Sequence, residues 1–308
     1  MTREHVIDPE LIHHDWDESL PPILEVESGD VVHFDIKVAG AGQVGLGDRF
    51  QDVSFDFDTM YNLSGPISIV GAEPGDSLAI EVLGLERGTW GWAAILPGFG
   101  LLPDQFPNGY LRTFELGSPD GVDFAPGVRI PFRPFLGTMG VNPGGGVRLS
   151  PFPPHAGGGN IDNRYLVEGA RLYLPLFLSG GRFSCGDPHA LQGDGEVCVT
   201  ALESPLKASL RLTLQKKALA APAFFTPPLR PGTVVDRGEY STMGLAPDLM
   251  DGARSATRAM IDWLGEEHGL GPEDAYMLCS LAAQLRILEV VDAGVWNVAM
   301  SVPLSLFA

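Results

Sequence analysis

From Gly186 to Glu196 the chain reads Gly-Asp-Pro-His-Ala-Leu-Gln-Gly-Asp-Gly-Glu. This run holds three carboxylates (Asp187, Asp194, Glu196), the imidazole of His189 and the amide of Gln192. Interleaved glycines let the backbone curl sharply and bring short acidic side chains together. Asp and His are also common oxygen and nitrogen ligands of divalent metals. Crowded carboxylates repel unless a cation or a shared proton lies among them, so the run calls for a positive partner. Asp187 and His189 stand two residues apart, as do Asp194 and Glu196, and on an extended backbone each pair points to one face. A second cluster, Gly158-Gly159-Asn160-Ile161-Asp162, precedes the next strand system. Together the two clusters offer three metal ligands and an open position for water, which is what a hydrolytic metal centre needs. The plainer reading is that these Asp residues cap turns and that His189 is a packing or surface histidine.

Nucleophile chemistry is less well served. Cys185 has acidic chain neighbours that raise a thiol pKa, so Cys185, Cys198 and Cys279 are read as core residues. No G-x-S-x-G elbow is present, and Lys37, Lys207, Lys216 and Lys217, the only lysines, lie outside any Gly/Ser-rich amidase tract. His13, three residues before Trp16, and His155 are second-rank site candidates.

The elements that must carry these residues read as β structure over the first two hundred positions. Pro22–Ile36 and Pro66–Val82 echo one another: a short apolar strand, a turn ending in Gly-Asp, and a strand alternating apolar with polar. The pattern predicts hairpins in a sandwich or barrel, with Asp30 and Asp76 capping the turns. Trp90–Gly100 reads as a long aromatic connection lining a pocket, and Gly137–Gly159 as irregular. Strands are expected at Leu172–Leu178, around Val197–Val199 and at Ala208–Gln215. Pro222–Gly232 marks a boundary. Beyond it, Pro247–Gly265 carries one apolar helical face, Gly269 stops it, Pro272 opens a second helix and Trp296–Pro303 closes as a strand. The expected fold is therefore mainly β, sandwich- or barrel-like, over 1–215, with an α+β portion over 216–308.

Composition narrows the partners. A net charge of −19 disfavours nucleic acid and anionic membrane surfaces. With no run of eighteen apolar residues, no signal-peptide pattern and three cysteines without C-x-x-C spacing, the expectation is a cytoplasmic globular protein.

The chain resembles the acetamidase/formamidase family. The resemblance rests on Pro21-Pro22, Val26-Glu27-Ser28-Gly29-Asp30, Gly65-Pro66, Gly71-Ala72-Glu73-Pro74-Gly75-Asp76, the two acidic clusters, Asp274–Ser280, Leu285-Arg286-Ile287 and Val290-Val291-Asp292. It implies a cytoplasmic homo-oligomer that hydrolyses short linear amides to ammonia and a carboxylate, with a bound zinc or calcium ion. Asn160, Asp162, Asp187, His189, Gln192, Asp194 and Glu196 match the family pattern. On that basis Asp162, Asp187 and His189 are expected to hold the metal. Glu196, with Asp194 as its alternate, is expected to be the acid–base group, and Asn160 and Gln192 to bond the substrate amide. Trp90 and Trp92 are expected to wall the pocket. The alternatives are a lactam hydrolase using the same residues and a non-catalytic calcium-binding β-sandwich in which His189 lies outside the ion's oxygen ligands.

Overall fold

In the strand Leu206–Gln215 the side chains of Leu206, Ala208, Leu210 and Leu212 are buried, and those between them are exposed or half-buried. That period of two fixes one face against a core. A computed structural model describes residues 2–119, 121–126, 128–146, 148–228, 237–292 and 294–307. Leu206–Gln215 lies within a nine-stranded sheet, between Asp30–Ile36 and Ser77–Arg87 and antiparallel to both. The sheet continues through Arg171–Pro175, Ala223–Thr226, Glu239–Ala246 and Trp296–Pro303 to Gln284–Glu289. A ten-stranded sheet built around Phe135–Val141 and Phe183–Leu191 faces it. One apolar core joins the layers: Ile36, Ile80 and Leu172 from the first sheet meet Ile67, Met139 and Phe183 from the second. The architecture is a mainly β sandwich.

The echoed stretches are not hairpins. Leu24–Val26 belongs to the second sheet and Asp30–Ile36 to the first, and Leu63–Ile69 and Ser77–Arg87 are divided the same way. Each Gly-Asp turn is therefore a corner between layers, and Leu24–Val26 pairs in parallel with Leu63–Ile69. Alternation marks a half-buried strand without saying which strand is its neighbour, so the pattern alone leaves the pairing open. The capping aspartates behave as expected: Asp30 accepts from the backbone N–H of Glu27 at 3.1 Å and Asp76 from that of Glu73 at 2.9 Å.

Other expectations are corrected by strand pairing. Trp90–Ile95 is a strand against Tyr110–Glu115, not a connection, and the paired strands Phe135–Val141 and Gly158–Asn160 overlap the two ends of Gly137–Gly159, expected to be irregular. Val197–Val199 is not a strand. Of the cysteines, Cys185 and Cys279 are buried, but Cys198 is exposed.

In the last third, Leu249–His268 is a helix capped by Asp248, whose side chain accepts from the Asp251 N–H at 3.0 Å. Pro272–Ala282 follows it. Ala256, Met260 and Leu264 of the first helix pack with Met300 and Val302 of the strand Trp296–Pro303. The division at 215/216 falls between strands of one sheet, so both portions build the same layer. Part of the Pro222–Gly232 boundary, residues 229–232, lies outside the described residues. Among those described, no helix is long and apolar enough to cross a membrane.

Candidate active site

The second sheet brings the two acidic clusters together. Phe135–Val141 lies between Gly158–Asn160 and Phe183–Leu191, with Thr138 in register with both Asn160 and Gly186. The chain from Asn160 to Asp162 and the Asp187–His189 stretch thus flank one central strand. His189 pairs with Glu203, and Glu203 with Trp92, extending the row across two further strands.

Around His189 the carboxylates converge. Its Nε2 lies 3.2 Å from Asp187 Oδ2 and 3.3 Å from Glu203 Oε2, and its Nδ1 lies 3.7 Å from Asp162 Oδ1. The Phe135 and His189 rings pack edge to face, with centroids 4.9 Å apart. Gly137 makes the convergence possible. A Cβ there would sit 2.5 Å from Asp162 Oδ1, 2.6 Å from Asp187 Oδ2 and 2.7 Å from His189 Cε1. Asp162, Asp187 and Glu196 all have positive φ, at 41°, 51° and 47°. That left-handed backbone disfavours L-residues by roughly 1 kcal/mol or more each, and such strain clusters at functional sites.

The other expected residues divide. Glu196 is buried and lines a cavity of about 260 Å³ together with Asp187, Glu203 and Asp292. Asn160 has both ends of its amide engaged: its Oδ1 accepts from the Thr138 hydroxyl, and its Nδ2 donates to Asp292 Oδ2 at 2.7 Å. Gln192 Nε2 donates to the backbone carbonyl of Asp162 at 3.0 Å, so it holds the Asp162 turn in place. Asp194 is exposed, accepts from the Tyr165 hydroxyl at 2.8 Å and does not line the cavity. Trp92 lines the cavity, whereas Trp90 does not. Neither His13 nor His155 lines it. His13 Nε2 is 2.8 Å from Ser184 Oγ, and His155 packs its ring against Trp16.

Glu203, Asp292 and Gly137 join the site without having been singled out for it. A faint signal marked Glu203, a carboxylate set between the apolar pairs Ala201-Leu202 and Pro205-Leu206; Asp292 ends the apolar run Val290-Val291. Nothing in the sequence marks Gly137. Asp292 comes from the last ninety residues and is held by Glu289, whose Oε1 accepts from its N–H at 2.6 Å.

Burial dominates the electrostatics. It pushes Asp162 up to about 6, with Asp187 adding to the shift, and Glu203 up to about 7, with His189 opposing. Burial likewise drives Glu196 and Asp292 well above the usual carboxylate range. For His189, burial works against the charged ring, but Glu203 and Asp187 outweigh it and raise the imidazole. Among the described residues, His189 is the one cation within ion-pair distance of Asp162, Asp187 or Glu203. The cluster therefore holds more negative charge than its own residues neutralise.

The residues present fit a divalent cation. Both oxygens of Asp162, both nitrogens of His189 and Oε2 of Glu203 are buried without a hydrogen-bond partner. Such orphaned groups cost free energy unless something binds them. Two sets, Asp162–His189–Glu196 and Asp187–His189–Glu203, each bring their ligand atoms within 4.8 Å of one another.

The profile of the Acetamidase/Formamidase family matches residues 1–150 and 146–308. This chain belongs to that family. A formamidase of Methylophilus methylotrophus is 27% identical over 241 residues, 60% of this chain and 59% of that protein. An acetamidase of Mycolicibacterium smegmatis is 27% identical over 247 residues, 60% of this chain and 61% of that one. The matched part thus spans about three-fifths of these relatives' length. The crystal structure of an acetamidase from Bacillus halodurans superposes with a TM-score of 0.89 at 28% identity, covering 98% of both chains.

Proposed function

We propose that this family member is a hydrolase of small linear amides, forming ammonia and a carboxylate at the cavity beneath Trp92. The observation that carries the reading is the pair of orphaned atoms, His189 Nε2 and Glu203 Oε2, beside a small cavity with a mostly apolar wall. The names of the relatives, formamidase and acetamidase, supply the reaction class.

His189 Nε2, Asp187 and Glu203 are the residues to hold a divalent ion on the cavity side, since Asp187 and Glu203 line the cavity and Asp162 does not. Asp162 lies at the other edge of the ring, 3.7 Å from Nδ1, where its carboxylate adds negative charge behind the imidazole. A histidine among the donors favours zinc over calcium, which prefers an all-oxygen shell. When bound, such an ion supplies a lowered pKa for a water and polarisation of the amide carbonyl. With a divalent ion's positive charge beside it favouring the ionised form, Glu196 is the acid–base group: it takes the attacking water's proton and returns one to the leaving amine. Asp292, tied to Asn160, faces the same cavity and is oriented to receive the substrate's NH2. Asn160 and Gln192 act behind these groups, holding Asp292 and Asp162, and do not face the amide directly.

Ammonia release from formamide and acetamide, before and after chelation and with zinc or calcium restored, tests the reading. Glu196→Gln should abolish turnover with its melting temperature and metal content preserved. Full activity in a metal-free preparation refutes the metal assignment. An active Glu196→Gln enzyme refutes the acid–base assignment. A γ-lactam assayed alongside distinguishes linear from cyclic amide hydrolysis.

A further inference from the structure

The carboxylate end of the cavity is only part of it. The remaining wall is aromatic and continuous. Phe99 stacks on Phe57 at 5.4 Å between centroids, Phe57 meets Phe152 at 5.9 Å, and Phe152 meets Tyr61 edge-on at 4.7 Å. The Tyr61 hydroxyl then reaches Asn160 Nδ2, 3.4 Å away, at the carboxylate floor. Met60, Leu96 and Trp92 also line the cavity. Phe57 and Phe99 are partly exposed, so they form the rim, and the wall runs without a break from rim to floor.

Several polar groups along this wall are already engaged. Trp92 Nε1 donates to the Ala39 carbonyl at 3.2 Å, so its indole offers only carbon to the cavity. Thr200 Oγ1 donates to the Ala94 carbonyl at 3.0 Å and accepts from the Ala94 N–H at 2.9 Å. Ser150 Oγ accepts from the Phe152 N–H at 3.3 Å. A hydroxyl or amine on the substrate would be stripped of water here with few partners in return.

Size points the same way. A cavity of about 260 Å³ has room for roughly nine waters at ~30 Å³ each. Formamide, or acetamide with its single methyl, would occupy a small part of it and leave aromatic surface against water. The geometry points to an acyl pocket: the enzyme's preferred substrates are amides of apolar carboxylic acids larger than acetic, with alkyl or phenylalkyl acyl groups lying along the Phe57–Phe99–Phe152 wall. This rests on the amide-hydrolase reading and specifies the acyl half of its substrate.

The test is kcat/KM for ammonia release across formamide, acetamide, propionamide, butyramide and phenylacetamide, with glycolamide as a polar mimic of propionamide. Each added methylene should raise kcat/KM roughly four-fold, mostly through KM, and phenylacetamide should exceed acetamide roughly ten- to a hundred-fold. Propionamide should exceed glycolamide roughly ten-fold. Phe99→Ala, a rim substitution, should flatten the chain-length trend. A kcat/KM that peaks at formamide or acetamide, or a glycolamide rate equal to that of propionamide, overturns the acyl pocket while leaving amide hydrolysis intact. No ammonia from any member of the series overturns the hydrolase reading itself.

Discussion

Replacing Gly137 with alanine adds one methyl group at the point where the site's three most tightly gathered side chains meet. No positive φ forces glycine there, so the backbone accepts alanine and the effect comes from space alone. The new Cβ would lie 2.5 Å from Asp162 Oδ1, 2.6 Å from Asp187 Oδ2 and 2.7 Å from His189 Cε1. Ordinary carbon–oxygen contacts are about 3.3 Å or longer, so each carboxylate oxygen must retreat by roughly 0.7 Å, and the His189 carbon by roughly 0.8 Å or more, since carbon–carbon contacts begin at about 3.5 Å. A misplacement near 1 Å costs about a hundred-fold in rate, whereas one extra core methyl costs about 1–3 kcal/mol in stability. The expected variant is folded, melts a few degrees lower, takes up a divalent ion poorly and has lost about a hundred-fold in kcat/KM for amide hydrolysis. Gly140→Ala is the control on the same strand. Its Cβ would strike the backbone nitrogen of Gly159 at 2.5 Å and the Trp16 ring at 2.8 Å, away from the carboxylates. Calorimetry, metal analysis by mass spectrometry and amide turnover on both variants decide the matter. If Gly137→Ala keeps its metal and its rate, or loses no more activity than Gly140→Ala at equal destabilisation, the convergence over Gly137 does not build the site.

Asp194→Asn should leave kcat/KM within about two- to three-fold of wild type, because this carboxylate is exposed and engaged by Tyr165 rather than facing the cavity; a hundred-fold loss would return it to the acid–base role. His155 supplies a pH test. Burial lowers its pKa from 6.5 to about 4, so between those values the unfolded chain binds the proton more readily than the folded one. Stability is therefore full above pH 6.5 and falls as the pH drops through 4, by about 3 kcal/mol for this group. Denaturant titrations from pH 7 to 4 should show that slope shrink in His155→Phe, and an unchanged slope would refute the assignment.

The sequence by itself determined the elements and the donor chemistry. Period-two alternation in Ala208–Gln215, the terminating Gly269 and the initiating Pro272 are local signals, and local signals write short-range structure directly. The Asp187–His189 spacing and the acid-rich glycine run around them likewise announced a charge cluster that needs a counter-ion. Tertiary structure decided who meets whom. The echoed stretches looked like hairpins because turn and alternation are local, whereas the choice between pairing and crossing layers depends on partners such as Leu206–Gln215, more than a hundred residues away. Glu203 comes to line the cavity through strand register in the second sheet, Asp292 through the return of the last ninety residues to the first sheet, which faces it, and Asp194 does not line the cavity. Gly137 could not be read at all. Its role is the absence of a side chain at a crowded point, and a missing atom matters only once the neighbours it would displace are in place.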